Sequence, residues 1–262
     1  MKRLLIVFCL VLAAAAFAWQ QTNAVKTTRY TWQSDRVPFA FDGYRIVQVS
    51  DLHNKRFGEG QKRLLRAIRN AKPDMIALTG DIIDQSTQSL EPARELIEGI
   101  RGLAPMYYVD GNHDPNSPFY QAFRAMLSQY DVTVLNGVAQ LAHGGESMSI
   151  AGYSYWDLWF NRVEIAASDM VLYHSPDEFP RFAARGCGLL LAGHNHGGQI
   201  ALPNGRAVLS SGGGFFPRYS AGVYHEGDST MVLSRGLGTS YVPLRIFAPP
   251  EIVVIELKTE RK

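Results

Sequence analysis

Short apolar runs alternate with amphipathic ones through the first half of the chain. Arg45 to Ser50 (R-I-V-Q-V-S) predicts a strand, and Gln61 to Ala71 predicts a helix, with Leu64, Leu65 and Ile68 on one face and Lys62, Arg63, Arg66 and Arg69 elsewhere. Pro73 ends that helix. The alternation continues with a strand over Asp74 to Thr79, a helix over Glu91 to Arg101, a strand over Met106 to Asp110 and a helix over Pro118 to Gln129. The pattern then changes. Val132 to Leu135, Ser147 to Gly152, Met170 to Tyr173 and Leu189 to Ala192 predict strands with little helix between them, as do Gly222 to Tyr224, Thr230 to Leu233 and Ile252 to Leu257. A β/α half followed by a β-rich half predicts a layered α/β domain with more than one sheet.

The N-terminus has a different pattern. Lys2 and Arg3 precede an apolar run from Leu4 to Trp19, and the first acidic residue is Asp35. A basic start and a short apolar stretch have the form of an export signal, and Ala16-Phe17-Ala18 offers a small-x-small cleavage site. Retention as a membrane anchor is the equal alternative, and in both cases the domain is carried across while Lys2 and Arg3 stay inside. Residues 1–24 are therefore expected to be a signal peptide or anchor, 25–43 a polar connector and 44–258 one domain. The expected location is extracytoplasmic: associated with the cell membrane, periplasmic or secreted.

Composition narrows the classes. The 262 residues are 46% hydrophobic and 19% charged, with a formal net charge of +2, which fits an ordinary globular protein. No block of like charges marks a nucleic-acid partner. The two cysteines form no disulfide framework, and Cys187 is expected to be a small buried hydrophobe.

Five polar clusters each follow a strand-like run, where an α/β fold places its site-forming loops. They are Asp51-Leu52-His53; Gly80-Asp81 with Asp84; Gly111-Asn112-His113-Asp114; His174; and Gly193-His194-Asn195-His196-Gly197-Gly198. Five of the seven histidines fall in these clusters, leaving only His143 and His225 outside. Carboxylate oxygen mixed with imidazole nitrogen suits Mn, Fe or Zn better than Mg or Ca. One such pair alone would be structural more often than not; five in this order point to a metal centre.

The order D-x-H, G-D-x-x-D, G-N-H-D, H, G-H-x-H resembles the calcineurin-like metallophosphoesterases. S-D-L-H-N-K-R-F-G, I-A-L-T-G-D-I-I-D, G-H-N-H-G-G-Q-I-A-L-P, S-R-G-L-G-T-S-Y-V-P-L-R and P-P-E-I-V-V-I-E-L further resemble the bacterial branch of exported or membrane-anchored phosphodiesterase-like proteins. The resemblance spans about Phe41 to Lys258. It implies a four-layer α-β-β-α sandwich with two mixed β-sheets flanked by helices. It also implies two divalent metal ions (Mn, Fe or Zn). Asp51, His53 and His196 would hold the first and Asn112, His174 and His194 the second, with Asp81 bridging. His113 would face the leaving-group oxygen and Asp114 would orient His113, while Asp84 would sit behind the ligands.

The function this implies is hydrolysis of a phosphate ester by a hydroxide shared between the two metals. A phosphodiester or pyrophosphate of a lipid- or envelope-linked molecule is the first choice of substrate. A phosphomonoesterase or nucleotide hydrolase is the alternative, and a non-catalytic metal-stabilised binding module a lesser one. Softer signals are Arg235, a candidate grip for a non-reacting phosphate, and the aromatic stretch Tyr153 to Phe160, read either as core or as a lip toward lipid. The sequence leaves oligomeric state open.

Overall fold

The computed structural model describes residues 1–209, 214–240 and 243–260; Tyr241 and Val242 of the Ser234–Arg245 stretch lie outside it. One sheet contains β1 (Lys26–Ser34), β2 (Arg45–Val49), β3 (Met75–Leu78), β4 (Met106–Tyr108), β5 (Thr133–Val134) and β14 (Glu251–Thr259), in the order β1-β14-β2-β3-β4-β5. The other contains β6 (Gly137–His143), β7 (Glu146–Gly152), β8 (Met170–Leu172), β9 (Leu189–Ala192), β12 (Gly222–Glu226) and β13 (Ser229–Leu233), in the order β12-β13-β9-β8-β7-β6. A small antiparallel ribbon joins β10 (Ile200–Ala201) to β11 (Ala207–Leu209). The helices are α1 (Lys2–Asn23), α2 (Lys62–Ala71), α3 (Glu91–Ile100), α4 (Tyr120–Gln129), α5 (Tyr155–Trp159) and α6 (Phe179–Ala184).

Both sheets are mixed. β2 to β5 run parallel, as do β7, β8, β9 and β13; the first sheet has β14 antiparallel to β2, and the second has antiparallel pairs at both edges, β12 with β13 and β6 with β7. The period of two along each central strand builds the layers. Ile46, Met75 and Ala77 face one apolar cluster together with Met170, Leu172, Leu189 and Leu191 from the other sheet. Their neighbours Val47, Val49, Ile76 and Leu78 face a second cluster with Leu64 of α2, Leu96 of α3 and Phe123 of α4. On the far side, Val171, Leu190 and Ala192 pack against Leu158 of α5 and Phe182 of α6. The result is helix, sheet, sheet, helix, the sandwich expected. Cys187 is buried in the last of these clusters.

A buried polar side chain ties the two sheets together next to the site. Gln48 Nε2 donates to Thr79 Oγ1 (3.0 Å) and to the Ala192 carbonyl (2.8 Å), linking β2, the end of β3 and the end of β9.

The segment expected as a connector differs from expectation. Lys26–Ser34 is an edge strand, paired in parallel with β14 over nine positions from Lys26↔Glu251 to Ser34↔Thr259. Thr28, Tyr30, Trp32 and Ser34 turn inward while Lys26, Thr27, Arg29, Thr31 and Gln33 are exposed. Cationic and polar residues on the open face are what an edge strand uses against unwanted pairing, and they make such a strand resemble a linker in sequence. α1 stands off the domain: residues 1–17 are all exposed, and the helix rejoins it near Thr22, whose carbonyl accepts from Lys55 Nζ at 2.5 Å and whose Oγ1 accepts from the Arg245 N–H at 3.1 Å.

Candidate metal centre

The five polar clusters come together at the carboxyl ends of β2, β3, β4, β8 and β9. Asp51, His53 and His196 offer ligand atoms that all lie within 4.8 Å of one another, and so do those of Asp81, His174 and His194. His53 Nε2 and His196 Nε2 are 3.2 Å apart, and His196 Nε2 is 3.5 Å from Asp51 Oδ1. Asp81 Oδ2 faces both groups, 2.9 Å from His174 Nε2 and 3.8 Å from His53 Nε2. Asn112 adjoins the second group, its Oδ1 2.9 Å from His194 Nδ1.

The local backbone is bent to achieve this. Asp51, His53, Asn54, Asp81, His194 and His196 all occupy left-handed conformations, with φ between +47° and +76°. Such residues cost of order 1 kcal/mol each and persist where surrounding structure enforces them. Two glycines leave room for the carboxylates: a Cβ on Gly111 would meet Asp81 Oδ1 at 2.1 Å, and one on Gly193 would meet Asp51 Oδ2 at 2.4 Å.

Outer partners fix which ring nitrogen faces inward. His174 Nδ1 donates to the Thr79 carbonyl at 2.7 Å, which turns Nε2 toward Asp81. His53 Nδ1 lies 3.1 Å from Asp84 Oδ2, an arrangement that does the same for His53. His196 Nδ1 lies 3.3 Å from Arg245 Nη2. Arg245 is wholly buried, and its guanidinium donates to the carbonyls of Gly238, His196, Ala248 and Arg235.

The electrostatics are those of anions and imidazoles forced together out of water. Burial raises the Asp51 carboxyl, with His174 opposing and Asp81 adding to the rise. Burial acts on Asp81 too, but His174, His53 and His113 outweigh it and hold it well below the ordinary carboxylate range. Burial lowers His174, yet Asp81 more than reverses this and brings it to about 10. His194 falls to about 3 through burial and the neighbouring His174, and His196 falls well below its ordinary value through burial, His53 and Arg245.

The donor set fits divalent cations. Asp51 Oδ2 is buried without a hydrogen-bond partner, and Asp81 Oδ2 and His174 Nε2, equally buried, face each other at 2.9 Å; all three are on residues of the two groups. Leaving such atoms unpaired costs about 1–3 kcal/mol each, more for charged groups. Mixed imidazole and carboxylate donors are the shell for Mn, Fe or Zn.

A family model for calcineurin-like phosphoesterases matches residues 44–198. The chain belongs to that family. It is 31% identical to the metallophosphoesterase YkuE of Bacillus subtilis over 255 residues, covering 91% of this chain and 87% of the relative. It is 28% identical to the phosphodiesterase YaeI of Escherichia coli, covering 82% of each chain. It is 24% identical to a transmembrane protein with a metallophosphoesterase domain from Danio rerio, covering 96% of this chain and 62% of that one. Membership makes this phosphoesterase a metal-dependent hydrolase of phosphate esters.

Two expectations about the phosphoesterase's site need correction. Asp114 does not contact the His113 ring. Its carboxylate accepts from the backbone N–H of Asp81 (2.7 Å), Ile82 (2.9 Å), Ile83 (3.1 Å) and Gly111 (2.8 Å), so it shapes the loop that presents Asp81. Asp114 follows His113 directly at the start of a helical turn, and that geometry sends the two side chains apart. The partner of His113 Nδ1 is Gln85 Oε1, at 2.9 Å. Arg235 is likewise committed elsewhere: its Nη2 pairs with Glu251 and lies 3.2 Å from Thr28 Oγ1, knitting β1, β14 and the loop after β13 rather than reaching toward substrate. Gln85 and Arg245 carried no signal in sequence, because an exposed Gln and a loop Arg are ordinary until their neighbours are known.

The aromatic stretch divides between both readings. Tyr153, Tyr155 and Leu158 are buried in the outer cluster, while Trp159 and Phe160 are exposed. Tyr155 lies 5.7 Å from the His194 ring, and Trp156 Nε1 donates to the Asn112 carbonyl at 3.3 Å, so α5 walls the second group.

Proposed function

We propose that this chain is a two-metal phosphodiesterase, held at a membrane by α1, that cleaves a lipid- or envelope-linked phosphodiester or pyrophosphate. The observation that carries the two-metal reading is Asp81 Oδ2: buried, and placed between the two groups, 2.9 Å from His174 Nε2 and 3.8 Å from His53 Nε2. Asp51, His53 and His196 would hold one ion, and His174, His194 and Asn112 the other, with Asp81 shared. When bound, two such cations supply Lewis acidity toward phosphoryl oxygens and lower the pKa of coordinated water toward neutrality.

The chain's own residues supply the rest. Gln85 takes the Nδ1 side of His113, so Nε2 is the nitrogen offered to a leaving oxygen. Burial is the largest influence on His113 and lowers its pKa, with Asp81 opposing. A phosphate anion arriving beside the ring favours its protonated form, in which Nε2–H can donate to the departing oxygen. Asp114 and the backbone of Gly111 keep Asp81 and His113 in register, the His113 N–H donating to Asp81 Oδ1 at 2.8 Å.

Support for the anchor comes from α1. Its most apolar stretch of 18 residues has a mean hydropathy of 2.1, and at about 1.5 Å of rise per residue the 22-residue helix has a length close to a bilayer's hydrocarbon core of about 30 Å. Support for the diesterase comes from the similarity to a protein named a phosphodiesterase. The test is hydrolysis of bis-p-nitrophenyl phosphate beside p-nitrophenyl phosphate, after metal removal and single add-back of Mn, Fe or Zn. Metal-restored turnover that favours the diester and disappears in Asp81→Asn is expected. A preference for the monoester would replace the diesterase with a phosphomonoesterase.

A further inference from the structure

We propose that a ring of exposed apolar residues around the exit of α1 rests on the lipid surface, so that the metal centre opens at headgroup level; this rests on the reading of α1 as an anchor. The residues are linked by successive contacts. Phe17, in the last turns of α1, packs on Phe247 with ring centroids 5.5 Å apart. The preceding Ile246 is bridged to Ile200 of β10, its N–H donating to the Gln199 carbonyl at 2.8 Å and its carbonyl accepting from Ala201 at 2.9 Å. Across the ribbon, Leu209 bridges Phe215, and the Phe216 N–H donates to the Val208 carbonyl at 3.1 Å. Leu202 lies at the turn between the two ribbon strands.

These side chains point outward. Phe215 is 72% exposed, Phe216 54%, Leu202 41% and Phe247 39%. Grouped exposed aromatics of this kind mark an interaction surface rather than chance exposure. Two of them are held at a cost. Phe216 (φ +50°) and Phe247 (φ +53°) sit in the left-handed region that bulky residues avoid. The Phe216 ring is more than half exposed and Phe247 packs on Phe17 of α1, so burial in the domain's interior is not what repays that strain.

Continuity with α1 selects the occupant. An apolar helix of bilayer length, exposed over residues 2–17, leaves the domain at this face, so the phase that covers the helix also reaches the ring. The polar companions fit a lipid interface. Arg206 lies over the Phe216 ring (5.1 Å to the centroid) and Arg63 over Trp19 (6.0 Å), which pairs cationic with aromatic groups as at a membrane–water boundary. The site is close behind. Gln199 is three residues past His196, and Arg245, next to Ile246, donates to the His196 carbonyl at 3.2 Å. A phosphodiester displayed by the same leaflet would thus meet the metal groups without leaving the interface.

The experiment uses the full chain in vesicles of phosphatidylglycerol and phosphatidylcholine. In a Cys9→Ser background, Phe216→Cys and, as a control on the remote β6 edge, Ala142→Cys are labelled with an environment-sensitive fluorophore. Retention after a carbonate wash reads the anchor. Blue-shifted emission and shielding from an aqueous quencher at position 216, but not at 142, is the expected result. Retained protein with position 216 as accessible as 142 would overturn the ring and leave the anchor standing; protein that washes off would overturn both. As a second measurement, the triple variant Leu202→Ser, Phe215→Ser, Phe216→Ser should lose several-fold in turnover of a vesicle-embedded phosphodiester while keeping its rate on bis-p-nitrophenyl phosphate. Equal rates on both substrates would overturn the proposal.

Discussion

The two ligand groups share Asp81 but are braced differently. Behind Asp51, His53 and His196 stand side chains that carry charge: Asp84 at His53 Nδ1 and the buried guanidinium of Arg245 at His196. Behind His174 stands a neutral group, the Thr79 carbonyl, and His194 lies against Asn112, itself a member of the second group. One brace belongs to side chains that mutation can alter. The other belongs largely to main chain, fixed by the end of β3. The first group should therefore be tunable and the second should persist as long as the sheet does.

Substitutions can break or sharpen that contrast. Asp81→Asn touches both groups, and turnover on a diester should fall by at least about 10²- to 10³-fold, the scale for losing a preorganised electrostatic group. Arg245→Met removes donors from three buried carbonyls and one part-buried one; urea denaturation should show a loss of at least about 3 kcal/mol, since each buried orphaned group costs about 1–3 kcal/mol. Asp84→Asn should weaken metal binding at the first group by about 10- to 100-fold, as loss of a ligand's outer partner does, and leave the second unchanged. Calorimetric titration with Mn separates the two, and equal weakening at both would end the distinction. The smallest effect is expected from Gln85→Ala. It should cut turnover of alkyl phosphodiesters by less than His113→Ala, whose loss should approach about 10²-fold, and leave nitrophenyl esters almost untouched, because nitrophenolate departs without a proton.

Much of this was legible in the chain. The central strands showed as short apolar runs because both faces of each are buried, and the chemistry-bearing residues stood directly after them. Ile46, Val47, Met75 and Ile76 illustrate the first point, and Asp51, Asp81 and His174 the second. What stayed hidden depended on partners far away in sequence. β1 looked like a linker because half of it faces solvent and its mate, β14, lies more than two hundred residues on. β6 was hidden by exposure alone: its mate β7 follows directly, but it is an edge strand with mostly polar or small residues outward. The family resemblance gave Asp114 to His113, whereas three-dimensional proximity gives it four backbone N–H groups. Arg235 read as a free cation because Glu251 and Thr28, which claim it, come from opposite ends of the chain.

The order β1-β14-β2 has a consequence for assembly. β14 inserts between β1 and β2, so among the described strands β1 has no neighbour to pair with until Glu251–Thr259 has been made. Closing a loop of that span is slow and entropically costly. The sheet is thus locked only once β14 arrives, like a zip whose slider enters late. A ribosome that stops before Glu251 would leave α1 joined to an unclosed domain with β1 bare, and quality-control proteases would find that open edge long before they could find one in the finished molecule.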